Sequence, residues 1–417
     1  MTEITDTPSA TGITNGRAVL AATPAAAGGP EHVSEPTAYD AILLAGFGGP
    51  EGQEDVIPFL RNVTRGRGIP DERLEEVAHH YRHFGGVSPI NAQNRALKAA
   101  LEAELARRGI DLPVLWGNRN WAPYLEDAVQ EAAAEGATNL IAIATSAYSS
   151  YSSCRQYRED FARVLDATEL MDTVRIDKVR QFFDHPGFVR PFVDGVRDGI
   201  ARAIAENEGL DVGTELRVLF STHSIPSSDA ARSGPDFRGF GEHGAYEAQH
   251  EAVAEVVLDA AWAELLASPE GAALQGASKP AWKLVYQSRS GPPSMPWLEP
   301  DINDYMNEEL AGGPTRAVLI VPLGFVSDHM EVMWDLDEEA TETAQELGFW
   351  SIRTPTPGVD PAYVAGLVDL VLERVQGTPV ADRPHLTDIG PWYDVCRPGC
   401  CENVRAGFKP AVAGLAP

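Results

Sequence analysis

The sequence predicts an α/β protein with two parallel sheets flanked by helices, and three observations carry the prediction. From residue 40 onward, short apolar runs rich in strand-forming residues alternate with longer segments of helical period. That alternation sets strands in parallel and covers both faces of each sheet with helices. A chain of 417 residues accommodates about two to three domains, so two such sheets fit.

The strand-like runs are Ala41 to Ala45, Leu140 to Ala144, Val174 to Val179, Leu216 to Phe220, Lys283 to Gln287 and Ala317 to Pro322, each too short for a stable helix. Between them, segments 91–108, 122–135, 187–206, 245–267 and 360–375 carry an amphipathic helical period. The expected organisation is a disordered Ala/Thr/Gly-rich tail over 1–38, a first domain over 40–185 and a second over 186–359. A helix over 360–377 would pack back on the first domain. After Gly377 the helical period stops and prolines accumulate, so 378–417 reads as an irregular extension.

Hydrophobic residues at 44% and charged residues at 23% describe a globular chain. With 33 basic against 61 acidic residues the net charge is −28, and such a field repels nucleic-acid backbones and anionic membrane surfaces. Nucleic acid is therefore not an expected partner. An anionic ligand would need a local basic pocket, whereas a divalent cation meets no obstacle. No apolar run reaches the roughly 18 residues of a bilayer span. The first 38 residues hold one basic residue, Arg17, and no long apolar core, unlike a secretory or transit peptide. Four cysteines are too few for a disulfide scaffold, so a reducing cytoplasm is the expected compartment.

Ligands of open parallel sheets sit beyond the carboxyl ends of strands, which directs attention to 46–52, 145–157, 221–226 and 324–339. Gly46-Phe47-Gly48-Gly49-Pro50 follows the first strand, but Glu51 stands where a dinucleotide fingerprint needs glycine and Pro50 removes a backbone donor. A nicotinamide cofactor is not expected. His223, in Ser221-Thr222-His223-Ser224-Ile225-Pro226, lies at a strand's carboxyl end, where an imidazole suits a general base or a metal ligand. Glu331, Asp335 and Glu339 recur at every fourth residue of a helical stretch and so share one file. Like charges in a file repel, and a divalent cation bound or passed along them would offset that repulsion. A solvated acidic face is the structural alternative.

His329-Met330-Glu331 mimics the His-x-Glu of zinc deaminases, but Cys396, Cys400 and Cys401 lack the required spacing. His79 and His83 stand four residues apart, compatible with zinc, although an ordinary surface helix fits them as well. Three cysteines crowd into a tail expected to be flexible, and Cys154 is the one remaining thiol. Four soft ligands suit an iron–sulfur cluster or zinc, which spacing alone does not separate, and free thiols stay open.

Taken together, these segments closely resemble the ferrochelatases, which insert ferrous iron into a porphyrin, and in particular their bacterial coproporphyrin branch. The likeness spans about 40–377 and rests on the segments around Phe47 and His223, on Asn62-Val63-Thr64-Arg65-Gly66-Arg67-Gly68 and on Phe84-Gly85-Gly86-Val87-Ser88-Pro89-Ile90. It continues through Tyr286-Gln287-Ser288-Arg289-Ser290-Gly291, Pro296-Trp297-Leu298-Glu299-Pro300-Asp301 and Gly324-Phe325-Val326-Ser327-Asp328-His329-Met330-Glu331.

The resemblance implies two Rossmann-like, chelatase-type domains with a porphyrin cleft between them. It implies catalysis by His223 and Glu331, an acidic metal line through Asp335 and Glu339 on a helix with a π-turn, and porphyrin contacts from Phe47, Ser88 and Tyr157. Arg65 and Arg67 would meet the propionates, which supplies the basic pocket an anionic substrate needs. Cys154, Cys396, Cys400 and Cys401 would hold a 2Fe-2S cluster. Two positions depart from the family pattern. Phe47 replaces a tyrosine and cannot ligate through oxygen, and Asn120 stands where some members have histidine, so a second imidazole is not expected there.

Insertion removes two pyrrole protons and presents nitrogen lone pairs that a flat macrocycle hides, so a site that bends the ring is expected. His223 would accept protons as a neutral imidazole near pH 7. Glu331 would guide the ion, and Asp335 and Glu339 would relay it or the protons. Insertion into protoporphyrin IX, or a non-catalytic porphyrin-binding or iron–sulfur sensor role, are the competing readings. Transient docking of later haem-pathway enzymes stays open.

Overall fold

The computed structural model describes residues 32–66, 68–235, 238–269, 271, 274–291, 294–397, 399–403 and 409–414. The first half runs β1 (Ala41–Gly46), α1 (Val56–Val63), α2 (Asp71–His83), α3 (Ile90–Arg107), β2 (Val114–Asn118), α4 (Leu125–Ala134), β3 (Asn139–Ala144), α5 (Gln156–Ala167) and β4 (Arg175–Lys178). Helix α6 (Pro186–Glu206) leads into β5 (Leu216–His223), a helix over Gly244–Ala267, β6 (Ala281–Gln287), β7 (Ala317–Val321) and β8 (Trp350–Arg353), and a helix over Pro361–Gln376 follows. The strands form two four-stranded parallel sheets, in the orders β2-β1-β3-β4 and β6-β5-β7-β8.

Strand periodicity explains why both sheets are covered on two faces. In β1, Ile42 and Leu44 enter a core shared by the two halves, while Ala41, Leu43 and Ala45 enter a separate outer core with α4 and α5. In β7, Ala317, Leu319 and Val321 join the shared core, and Val318 and Ile320 face the other way. Helix α6 lies in the shared core through Phe188, Phe192 and Val196. It crosses the Pro361–Gln376 helix closely enough that a Cβ on Gly187 would meet the Ala362 carbonyl at 2.5 Å. That last helix packs on α3 as well as on α6, which ties it to both halves.

Several expectations are corrected. Strands β2 and β8 were not foreseen. Both are edge strands, β8 is only partly buried, and β2 contains Gly117, placed where a Cβ would meet Leu125 Cα at 2.7 Å. Residues 1–31 of the expected disordered tail lie outside the described residues, but within 32–38 one residue is anchored in the interior. Val33 is buried, donates its amide to Asp394 at 2.7 Å and accepts from Arg383 at 2.5 Å. The described residues after Gly377 include one short helical turn, Val380–Asp382, and they pack into the molecule. Trp392 joins the shared core, Val412 and Ala413 join the outer core, and Cys396, Cys400 and Cys401 are all buried. No helix among the described residues is long and apolar enough to cross a membrane.

Candidate functional site

The carboxyl end of β5 delivers His223, and a short helix over Met330–Val332, beyond the loop that follows β7, delivers Glu331. His223 Nε2 stands 3.6 Å from Glu331 Oε2, and His329 Nδ1 stands 3.9 Å from the same oxygen. The other nitrogen of His223, Nδ1, lies 2.5 Å from the Ser224 carbonyl, which can only accept, so Nδ1 carries a hydrogen and Nε2 is the nitrogen turned to the carboxylate. Burial alone would lower the His223 pKa, but the Glu331 charge, assisted by the Ser224 carbonyl and Asp335, raises it to about 9. Glu331 responds in kind. Burial pushes it up, yet the His223 charge outweighs burial and lowers it to about 2. These shifts favour an imidazolium facing a carboxylate near neutral pH, where the sequence reading gives His223 a neutral imidazole.

The helix beyond Glu331 turns into a π-helix over Met333–Ala340, which carries Asp335 and Glu339. Burial, then repulsion from Glu331, raises the Asp335 pKa to about 7, and Glu339 adds to the repulsion. Ser288, held at φ +61° just past β6, donates its hydroxyl to Asp335 Oδ2. Gln287 donates to the same oxygen at 3.3 Å and to the Glu331 carbonyl at 3.1 Å, and its own oxygen accepts from Ser221 at 2.8 Å. The segments at 221, 287–288 and 331–335 are thus one hydrogen-bonded unit. Glu339 is exposed and accepts the Trp334 indole N–H at 2.8 Å.

The first half faces this unit. Phe47 follows β1 and is 37% exposed, and Gly48 beside it adopts φ +83°, where a Cβ would also strike Asn118 at 2.9 Å. Phe47 packs edge-on against Phe59, and Phe59 against the partly buried Tyr81, whose phenol pKa is raised by desolvation and by the nearby Glu331 charge. Arg65 is exposed and donates to Asn62 at 2.6 Å, beside the Asn120 carbonyl that also accepts from Asn62. Arg67 lies outside the described residues. Ser88 is buried, with its oxygen 3.5 Å from the Ile90 amide at the start of α3. Tyr157, expected to touch substrate, is only 3% exposed and lies beneath the Arg119 guanidinium, 4.6 Å from the ring centre.

The four cysteines form a separate buried cluster. Cys400 and Cys401 sulfurs are 3.8 Å apart, and the Gly234 amide donates to Cys401 Sγ at 3.1 Å. Hydrogen bonds from Cys154 and Cys400 and the Gly234 amide drive the Cys401 thiol well below its ordinary value; Cys396 is also lowered, by Cys400 and then, against burial, by Arg158. Among the described residues, no three His, Cys, Asp or Glu side chains close around a single ion-sized point. A cavity of about 690 Å³, lined by Asp194, Arg202, Asp328 and Arg353, contains none of the expected residues.

The sequence profile of the ferrochelatase family matches residues 39–375. The chain belongs to the ferrochelatase family. It is 68% identical to the coproporphyrin III ferrochelatase of Leifsonia xyli subsp. xyli over 96% of this chain and 100% of that one. It is 56% identical to the coproporphyrin III ferrochelatase of Tropheryma whipplei strain Twist, covering 91% of this chain and 93% of the relative, and 52% identical to that of Streptomyces griseus, covering 91% and 97%.

Within this ferrochelatase-family chain, sequence reasoning missed Arg119 and His329. Arg119 is nearly buried, pairs with Asp160 at 2.5 Å, and spans Phe47 and Tyr157. Its signal was its place directly after β2, a strand that was itself missed. His329 supplies a second imidazole beside Glu331, from a segment in which the sequence reading assigned a role to Glu331 but none to His329.

Proposed function

We propose that this ferrochelatase-family chain inserts ferrous iron into coproporphyrin III, forming iron-coproporphyrin and releasing two protons. One observation carries the reading. An imidazole and a carboxylate from separate segments, His223 and Glu331, meet at 3.6 Å beyond the carboxyl ends of a parallel sheet, in a chain whose relatives are named for this activity. The halves 40–185 and 186–359 act as the two chelatase-type domains, with the porphyrin between them.

Glu331, ionised at neutral pH, receives the ferrous ion as substrate. The arriving cation cancels the charge that holds His223 protonated, so the Nε2 proton passes to solvent. The freed nitrogen, oriented by the Nδ1–H on Ser224, then accepts the two pyrrole protons in turn, handing on the first before it takes the second. Asp335, with a pKa near the working pH, takes protons onward and Glu339 stands at the exposed end of the line. Phe47 offers an apolar ring to the macrocycle face. Arg65, together with Arg67, would meet propionates that the overall charge of −28 repels. Ser88 and Tyr157 act from beneath, Tyr157 by supporting Arg119.

Cys154, Cys396, Cys400 and Cys401 fit a 2Fe-2S cluster, which takes four thiolates, two on each iron. Support comes from the four buried sulfurs packed together, the amide aimed at Cys401 and the Arg158 charge beside them. Such a cluster would pin the extension to the start of α5. The absence of net electron transfer in iron insertion favours a structural role. Four free thiols suit a reducing cytoplasm as the site of action.

The test is anaerobic quenching of porphyrin fluorescence by ferrous iron in the presence of the purified chain. Rapid quenching with coproporphyrin III and slower quenching with protoporphyrin IX is expected. Quenching no faster than without protein, for both macrocycles, would end this reading.

A further inference from the structure

The two histidines set four residues apart on α2 do not serve as a metal pair. They form, with His80 between them, a cage around Trp334 of the π-helix. The His80 ring stacks on the indole at 4.1 Å and 7°, and His79 and His83 meet it edge-on at 6.0 and 5.5 Å. Phe84 adds a fourth ring at 6.4 Å, and His83 Nε2 lies 3.7 Å from Glu338. The indole N–H that projects from this cage donates to Glu339 Oε1 at 2.8 Å. One side chain therefore joins a helix of the first half to the outermost carboxylate of the acidic line. Among the described residues no other hydrogen bond holds the Glu339 side chain, and an exposed glutamate held by nothing would sample many rotamers.

We infer that Trp334 is a positioning residue for iron entry: seated among His79, His80 and His83, it fixes the Glu339 carboxylate and docks α2 on the acidic helix. The inference rests on the iron-insertion reading above. It places the first point of ion capture under the control of an aromatic contact between the halves rather than of the carboxylates alone.

Three variants of the full chain separate the parts. Trp334→Phe keeps a ring for the histidines and removes only the N–H, Trp334→Ala removes both, and Glu339→Ala removes the acceptor. Trp334→Phe is expected to raise the KM for ferrous iron about three- to tenfold, the scale of one ordinary hydrogen bond, with porphyrin KM and kcat within about twofold of wild type. Adding Trp334→Phe to Glu339→Ala should change the iron KM no further. Amide exchange in 71–83 should quicken in Trp334→Ala and stay at the wild-type rate in Trp334→Phe. An unchanged iron KM in Trp334→Phe, an equal rise in porphyrin KM, or a full additional effect on top of Glu339→Ala overturns the inference. If the wild type forms no iron porphyrin, the functional reading fails, and unchanged exchange in Trp334→Ala would separately refute the docking.

Discussion

His223 and Glu331 form an ion pair at 3.6 Å in which only one imidazole nitrogen is available, because the Ser224 carbonyl occupies the other. The arrangement couples two protonation states. Each partner shifts the other away from its ordinary pKa, His223 upward and Glu331 downward.

The pair gives stability a definite pH window. The His223 contribution is complete below the unfolded imidazole value of 6.5 and is lost as pH rises through about 9. The Glu331 contribution is complete above 4.5 and is lost as pH falls through about 2. Urea titrations should therefore show wild type gaining most over His223→Gln between these limits, by about 1 kcal/mol or less because Glu331 is half exposed, with the gap closing above pH 9. A gap that widens as pH rises above 6.5 would contradict the pairing.

Asp335 carries the opposite sign. Its carboxyl is raised to about 7, so its charge costs stability: nothing below the unfolded value of 3.8, and the full amount above about 7. Asp335→Asn should melt above wild type at pH 8 and at the wild-type temperature at pH 3. In activity assays it should lose about 10²- to 10⁴-fold in kcat and show no rate transition near pH 7. A retained transition would move the proton relay to another group.

Cys401→Ser removes one thiolate from the buried set. The visible absorption of the isolated protein should disappear and the denaturation midpoint should fall, whereas His223→Gln should leave the absorption intact. Identical absorption in Cys401→Ser and wild type would exclude this residue as a cluster ligand.

Arg383 and Asp394 are buried and paired at 2.6 Å, and both bond to Val33. Arg383→Ala should destabilise the protein by about 3–5 kcal/mol, measured by denaturant unfolding, because Asp394 is left as an uncompensated buried charge. Adding Asp394→Asn should recover part of that loss. A loss under about 1 kcal/mol would mean that water enters the site.

Much of the fold was legible locally. The runs at Ala41, Leu140, Leu216 and Ala317 announce central strands because both faces of such strands are buried, and the helices after them keep their period. Edge strands β2 and β8 gave weaker signals, since β8 buries little on either face and β2 carries a glycine. His223 and Glu331 were legible as types at strand ends, and the cysteines stood out by scarcity. Arg119, His329 and Trp334 were not, because nothing in their neighbouring residues reports which side chains from distant segments surround them.

The order of residues determined the alternating strands and helices, the acidic file and the set of four thiols, since these follow from periodicity and composition along the chain. Tertiary structure alone decided that His223 lies against Glu331, that Tyr157 and Ser88 lie beneath the surface and that the histidines of α2 enclose Trp334. Protonation and burial depend on charges and neighbours brought from remote segments, and those distances exist only once both sheets have packed on their shared core.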